Sequence, residues 1–218
     1  MPVALAGSVL IGLTLPGLLP DGTLWAARGL PAVVVLRGMF AASFFGAETF
    51  VPLMLVRERG LSPALAGLTL TGGAVGWAAG SWLQARPALR VPRHVLLGTG
   101  GLIVAACVWT MTVITRPWAP VWAALPIWAT AGLGMGVSMA SISVLLLRFS
   151  ETGEEGRNSA ALQISDALGS VIGIGGAAAV FAALHHPAGS DAAVFRLIWI
   201  PLGVIAALTF PVALRARS

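Results

Sequence analysis

Six long apolar segments dominate the chain and decide what it can fold into. A transmembrane helix needs about 20 mostly apolar residues, and each segment reaches that length. The segments run from Ala32 to Val56, Pro63 to Leu83, His94 to Thr115, Val121 to Phe149, Ser159 to Leu184 and Ala192 to Leu214. A shorter stretch, Val3 to Leu19, lacks the basic leading region of a signal peptide and is interpreted as a helix without its beginning. The pattern predicts an all-α polytopic membrane protein.

The composition agrees with this class and argues against a nucleic-acid partner. Hydrophobic residues make up 57% of the chain, and charged residues make up only 10%. A net charge of +5 would suggest nucleic-acid binding in a soluble protein. Here the basic residues lie in short loops and near the ends of apolar segments, where membrane topology explains them. We therefore expect a lipid bilayer, and no nucleic acid, as the partner.

The positions of the arginines predict the orientation. Cytoplasmic loops collect basic residues. With the C-terminus inside, nine of the 13 arginines are cytoplasmic, and only Arg57, Arg59, Arg116 and Arg196 are outside. The bias predicts a multi-pass protein of the cell membrane with a cytoplasmic C-terminus.

No pattern of metal ligands or cofactor-binding residues is present in the sequence. His185 and His186 close one apolar segment, but adjacent residues at a helix end point apart, and no third ligand is near in sequence. These histidines therefore suggest an interfacial loop. We expect neither a metal nor a cofactor.

Glu48 is the most informative residue, because it places a carboxylate within the apolar run Ala32 to Val56. A charge at that depth is costly, so it usually faces a cavity or a partner and marks an ion or substrate path. The other interpretation is an acid satisfied by a neighbouring helix. Arg37, the other charged residue of this run, is shallow enough to snorkel to the interface.

Asp166 places another carboxylate within a second apolar run, so it too could face a cavity or be satisfied by a neighbouring helix. It lies one turn from Gln163 and could join a polar route through the membrane. Pairing with Arg148 or Arg157 is the alternative, and it would make Asp166 structural.

Glycines at every fourth residue predict how one helix packs. Gly72, Gly76 and Gly80 form a smooth strip, which permits close contact with another helix. The strip indicates a compact bundle and identifies no function.

Two stretches resemble the C-terminal half of major facilitator superfamily (MFS) transporters. The first stretch comprises the pair Arg37-Gly38, the run from Phe44 to Glu48 and the run from Arg59 to Leu68. The second, resembling the penultimate helix of drug-efflux members, contains Gly156 to Ala160, Gln163, Leu168-Gly169 and Gly173.

The resemblance implies a six-helix half-bundle at residues 31–218, preceded at residues 1–30 by a partial transmembrane helix and a cytoplasmic linker. It further implies that a missing N-terminal half, or a second copy, completes the transporter. Small-molecule efflux by alternating access would then use Glu48 as the proton-coupling or cation-recognising acid. One family motif is a poor match, because Gln84 and Ala85 replace the acid and the arginine that usually follow Gly80 at this spacing.

Two other functions remain to be separated from transport. A structural or partner subunit would need Glu48 only for stability or assembly. An intramembrane hydrolase is less favoured, because the sequence contains neither Gly-x-Ser-x-Gly nor His-Glu-x-x-His, although two acids leave an aspartyl-type mechanism open.

Overall fold

The computed structural model describes residues 17–86 and 91–217, and their regular structure is entirely helical. The α-helices are α1 (Leu30–Glu48), α2 (Val51–Arg59), α3 (Pro63–Gln84), α4 (Arg93–Ile114), α5 (Ala124–Phe149), α6 (Glu155–Leu184) and α7 (Ala192–Ala213). Short 3-10 helices lie at Thr23–Trp25, Val121–Ala123 and Leu214–Ala216. The predicted segment Val3 to Leu19 lies almost wholly outside the described residues.

Five helical segments are long and apolar enough to cross a membrane, which confirms the all-α polytopic class. They are Leu30–Arg59, Arg93–Ile114, Val121–Phe149, Glu155–Leu184 and Ala192–Ala216. The remaining predicted span, Pro63 to Leu83, forms α3, which has 22 residues but a less apolar composition that is rich in glycine. Ser62 caps α3 by accepting a hydrogen bond from the Leu65 backbone N–H at 3.3 Å.

The first predicted span is broken rather than continuous. Helix α1 ends at Glu48 and α2 begins at Val51, with Thr49 and Phe50 between them. Pro52 explains the break, because it has no N–H to donate to the Glu48 carbonyl four residues earlier. Beside the break, the Ala47 carbonyl accepts from the Phe50 backbone N–H at 3.1 Å and from the indole N–H of Trp199 at 3.2 Å.

Close helix pairs build the bundle. Helix α3 packs along α5, α1 packs along α6, and α4 packs between α5 and α7. A Cβ added at Gly76 would collide with the Ala129 carbonyl oxygen, and one at Gly80 with that of Leu133. Gly72 is less tight, since a Cβ there would lie 3.4 Å from Leu125. The predicted glycine strip therefore faces α5.

Helices alternate in direction, so charged residues gather at two ends of the bundle. Arg59 at the end of α2 bonds to the carbonyl of Ile114 at the end of α4, which defines one end. The opposite end, which we call the basic end, holds Arg93, Arg148 and Arg217 around one cavity.

Two helices keep apolar faces that the described residues leave uncovered. Only 17% of the apolar window of α6 is buried, against 56% to 67% for the spans that contain α1, α4 and α5. Val171 and Ile172 of α6 are more than half exposed, as is Val75 of α3. Apolar faces of this kind suit contact with a membrane or with another helical bundle.

The α3–α5 contact gives a first prediction. We expect Gly76→Ala to lower the free energy of unfolding by about 1–3 kcal/mol, because the new methyl group must push α3 away from α5. The measurement is thermal unfolding of the purified chain in detergent.

Gly67→Ala on the same helix is the matched control. A Cβ at Gly67 meets nothing within 4 Å, so alanine should be neutral or stabilise α3 by up to about 1 kcal/mol. Equal destabilisation by both substitutions would contradict a glycine-mediated contact.

Candidate transport site

Glu48 lies at the junction of three helices, beside the break in the first span. The indole N–H of Trp128, on α5, donates to Glu48 Oε1 at 3.2 Å. A Cβ at Gly73, on α3, would lie 3.7 Å from the same carboxylate oxygen. Trp128 is fully buried, whereas Glu48 is only half-buried. The carboxylate is therefore held by the bundle on one side and is accessible on another.

Aromatic rings form a wall next to this carboxylate. Phe44, one turn before Glu48, stacks on Trp128 with ring centroids 5.3 Å apart. Phe45 stacks on Trp77 of α3 at 6.1 Å. Phe44 and Trp128 are fully buried, so the partly exposed rings of Phe45 and Trp77 are the ones that can contact an organic cation, which ring faces and carboxylate oxygens both attract.

Trp77 and Trp128 are parts of this site that the sequence did not reveal. Both are more than 25 residues from Glu48 along the chain, and nothing local marks them. Phe44 and Phe45 belong to the run that resembles the transporter family, and they precede Glu48 by four and three residues on the same side of α1.

The second acid, Asp166, is paired with Arg37. Arg37 Nε donates to Asp166 Oδ1 at 2.5 Å, and its Nη1 lies 2.9 Å from the sulfur of Met139. The two charged side chains are 19% and 22% exposed. The bond links α1 to α6 and lets each ion lower the cost of placing the other in an apolar region.

This pairing corrects two expectations. The partner of Asp166 is Arg37, and not Arg148 or Arg157 as considered from the sequence. Arg157 instead pairs with Glu154 of its own helix end, at 3.0 Å. Arg37 therefore turns inward to an acid rather than only snorkelling to the interface, because the close α1–α6 contact brings Asp166 within reach.

Arg37 and Glu48 lie on the same side of α1. They are eleven residues apart, which is about three turns and about 16 Å along a helix. Gln163 is exposed one turn before Asp166 on α6. Arg148 lies away from this group, at the basic end.

At the end of the bundle opposite the basic end, three consecutive residues of α2 bond to the neighbouring loops. Arg57 Nε donates to Asp191 Oδ2 at 3.0 Å. Glu58 accepts from the Asp191 backbone N–H at 2.7 Å. Arg59 donates to backbone carbonyls at Ile114, Arg116 and Ala119. We call Arg57, Glu58, Arg59 and these partners the clasp.

Asp191 is the centre of the clasp. Its carboxylate lies 2.7 Å from His185 Nδ1 and accepts from the His186 backbone N–H at 3.0 Å. Burial favours a higher pKa for Asp191, but the hydrogen bonds from His186 and His185 and the charge of Arg57 outweigh it and lower the pKa below its ordinary value. His185 thus has a structural partner.

Among the described residues no group of three or more His, Cys, Asp or Glu side chains could hold a metal ion. Two charged features of the described spans are Glu48 beside aromatic rings and the ion pair of Arg37 with Asp166.

Apolar helices that surround isolated charges define a multi-pass membrane transporter. The family model of the Major Facilitator Superfamily matches residues 13–174, and the chain therefore belongs to this superfamily. Its members are transporters of small molecules and not enzymes. No individual curated protein matches the chain.

The ion pair between α1 and α6 gives a second prediction. We expect Arg37→Gln alone, or Asp166→Asn alone, to destabilise the chain by about 3 kcal/mol, because each leaves a partly buried charge without its partner. The double substitution should recover most of that loss. Thermal unfolding of the three variants measures the coupling, and additive losses in the double variant would contradict the pairing.

The clasp gives a third prediction. Because the pKa of Asp191 is lowered on folding, its carboxylate stabilises the chain above the ordinary value of 3.8, and this contribution is lost as the pH falls through the lowered value. We expect wild type to unfold at a higher temperature than Asp191→Asn near neutral pH, with a gap that closes only below about pH 4.

Asp21→Asn serves as the control, because Asp21 is exposed and lies outside the clasp. It should leave the unfolding temperature close to wild type at neutral pH. A gap between wild type and Asp191→Asn that had already closed at a pH above the ordinary value of 3.8 would refute the lowered pKa and the role assigned to Asp191.

Proposed function

We propose that the chain is the C-terminal half-bundle of a secondary transporter that exports small organic cations in exchange for protons. The observation that carries the proposal is the half-buried carboxylate of Glu48, held by Trp128 at a helix break and flanked by aromatic rings. Carboxylates inside membrane spans are costly and commonly mark ion or substrate paths.

Helix breaks are a recurrent feature of transporter sites. Discontinuous spans place unpaired backbone groups and charged side chains near the middle of the membrane, where substrate and coupling ion bind. Here the break separates α1 from α2 directly after Glu48. The same carboxylate can then take a proton or a cationic substrate, but not both at once.

Competition for Glu48 supplies the coupling. When the site opens to one side, a proton that binds to the carboxylate removes its charge and releases the cation. When it opens to the other side, loss of the proton restores the charge and allows the next cation to bind. The aromatic wall of Phe45 and Trp77 favours flat, apolar cations over small hydrated ions.

The uncovered faces of α3 and α6 support the half-bundle role. Their exposed apolar residues include Val75, Val171 and Ile172. We propose that an N-terminal half or a second copy of the chain covers these faces and provides the opposite wall of the site. In this arrangement the protein lies in the cell membrane with its C-terminus in the cytoplasm, as the arginine bias favours.

The test replaces Glu48 with glutamine in the gene of the native host, where the chain meets its own partner. We expect Glu48→Gln to insert normally but to lose export of a fluorescent organic cation such as ethidium, together with its dependence on the proton gradient. Export is measured as dye retention in energised cells, with and without a protonophore.

Glu151→Gln is the matched control, because Glu151 is an exposed acid in the loop between α5 and α6. It should export as wild type does. Unchanged, proton-dependent export by Glu48→Gln would overturn the role of Glu48. If deleting the whole gene also left export of every tested cation intact, a partner subunit without its own transport activity would be favoured.

A further inference from the structure

A cavity at the basic end is lined by four basic side chains. Its volume is about 180 Å³, which is enough for a phosphate group. Arg93 and His94 begin α4, Arg148 lies in the last turn of α5, and Arg217 follows the final 3-10 helix. None of the described residues that line the cavity is acidic. Three guanidinium groups around one space repel each other unless an anion lies among them.

One donor in this group has no partner within the described part of the chain. Arg93 Nη1 is buried and forms no hydrogen bond with these residues. A buried guanidinium N–H without an acceptor is costly. Arg93 is also the first residue of α4, where the helix dipole favours negative charge.

We propose that this cavity binds the phosphate group of an anionic phospholipid. Phosphate oxygens accept paired hydrogen bonds from guanidinium groups, so one headgroup can satisfy arginines from α4, α5 and the C-terminal segment together. The bound lipid would join three segments that carry like charge.

The surroundings favour a lipid over free phosphate. Val95 follows His94 on α4 and is 38% exposed, and Leu147 precedes Arg148 on α5 and is 60% exposed. Val144, one turn earlier on α5, is 42% exposed. These apolar side chains can contact an acyl chain, whereas free phosphate makes no use of them. Basic pockets between membrane helices commonly bind anionic headgroups.

The test compares lipids bound to the purified full chain by native mass spectrometry. Phosphatidylglycerol is titrated against phosphatidylcholine, with inorganic phosphate as a separate competitor. We expect wild type to retain phosphatidylglycerol at least about tenfold more tightly than phosphatidylcholine. The double variant Arg148→Gln/Arg217→Gln should lose about tenfold or more in that affinity, as expected when hydrogen bonds to a charged group are removed.

Arg116→Gln is the control, because it makes the same arginine-to-glutamine change once, in an exposed side chain at the end of the bundle that holds the clasp. It should keep the affinity of wild type. Equal affinity of the double variant and wild type, or an equal loss in Arg116→Gln, would overturn the site. Displacement of the lipid by an equal concentration of inorganic phosphate would overturn the lipid as its source.

Discussion

The missing N–H of Pro52 is the constraint on which the site depends. In a membrane every backbone polar group must find a partner within the protein, so a helix break needs donors from elsewhere. Two indole N–H groups bond beside the break: that of Trp199 donates to the Ala47 carbonyl, which also accepts from the Phe50 backbone N–H, and that of Trp128 donates to the Glu48 side chain. The break is therefore stabilised by tryptophans from α5 and α7, and it places Glu48 at a helix end.

Glycine packing connects this local feature to the rest of the bundle. Gly76 and Gly80 bring α3 close to α5, and that approach sets Gly73 against the indole of Trp128. A larger residue at Gly73 would push the indole away from Glu48, since a Cβ there already lies 2.8 Å from Trp128 Cδ1. The carboxylate is thus positioned by backbone contacts between two other helices.

The sequence predicted the helices better than it predicted their partners. The predicted start of α3 at Pro63 is confirmed, because the Ser62 cap is a local signal. The start of α6 was placed at Ser159, four residues late, since hydropathy detects the apolar part of a helix and not its polar first turn. The pairing of Asp166 with Arg37 required the α1–α6 contact, which apolar periodicity does not encode.

The two ends of the bundle use their arginines differently. At the clasp end, Arg57 forms an ion pair with Asp191, and Arg59 donates hydrogen bonds to backbone carbonyls. Both arginines therefore have partners within the chain. At the basic end, Arg148 and Arg217 face a cavity without an acid. Acids at the basic end, among them Glu151 and the Arg157 partner Glu154, offset part of its charge, so the expected orientation rests on the count of arginines and not on this cavity.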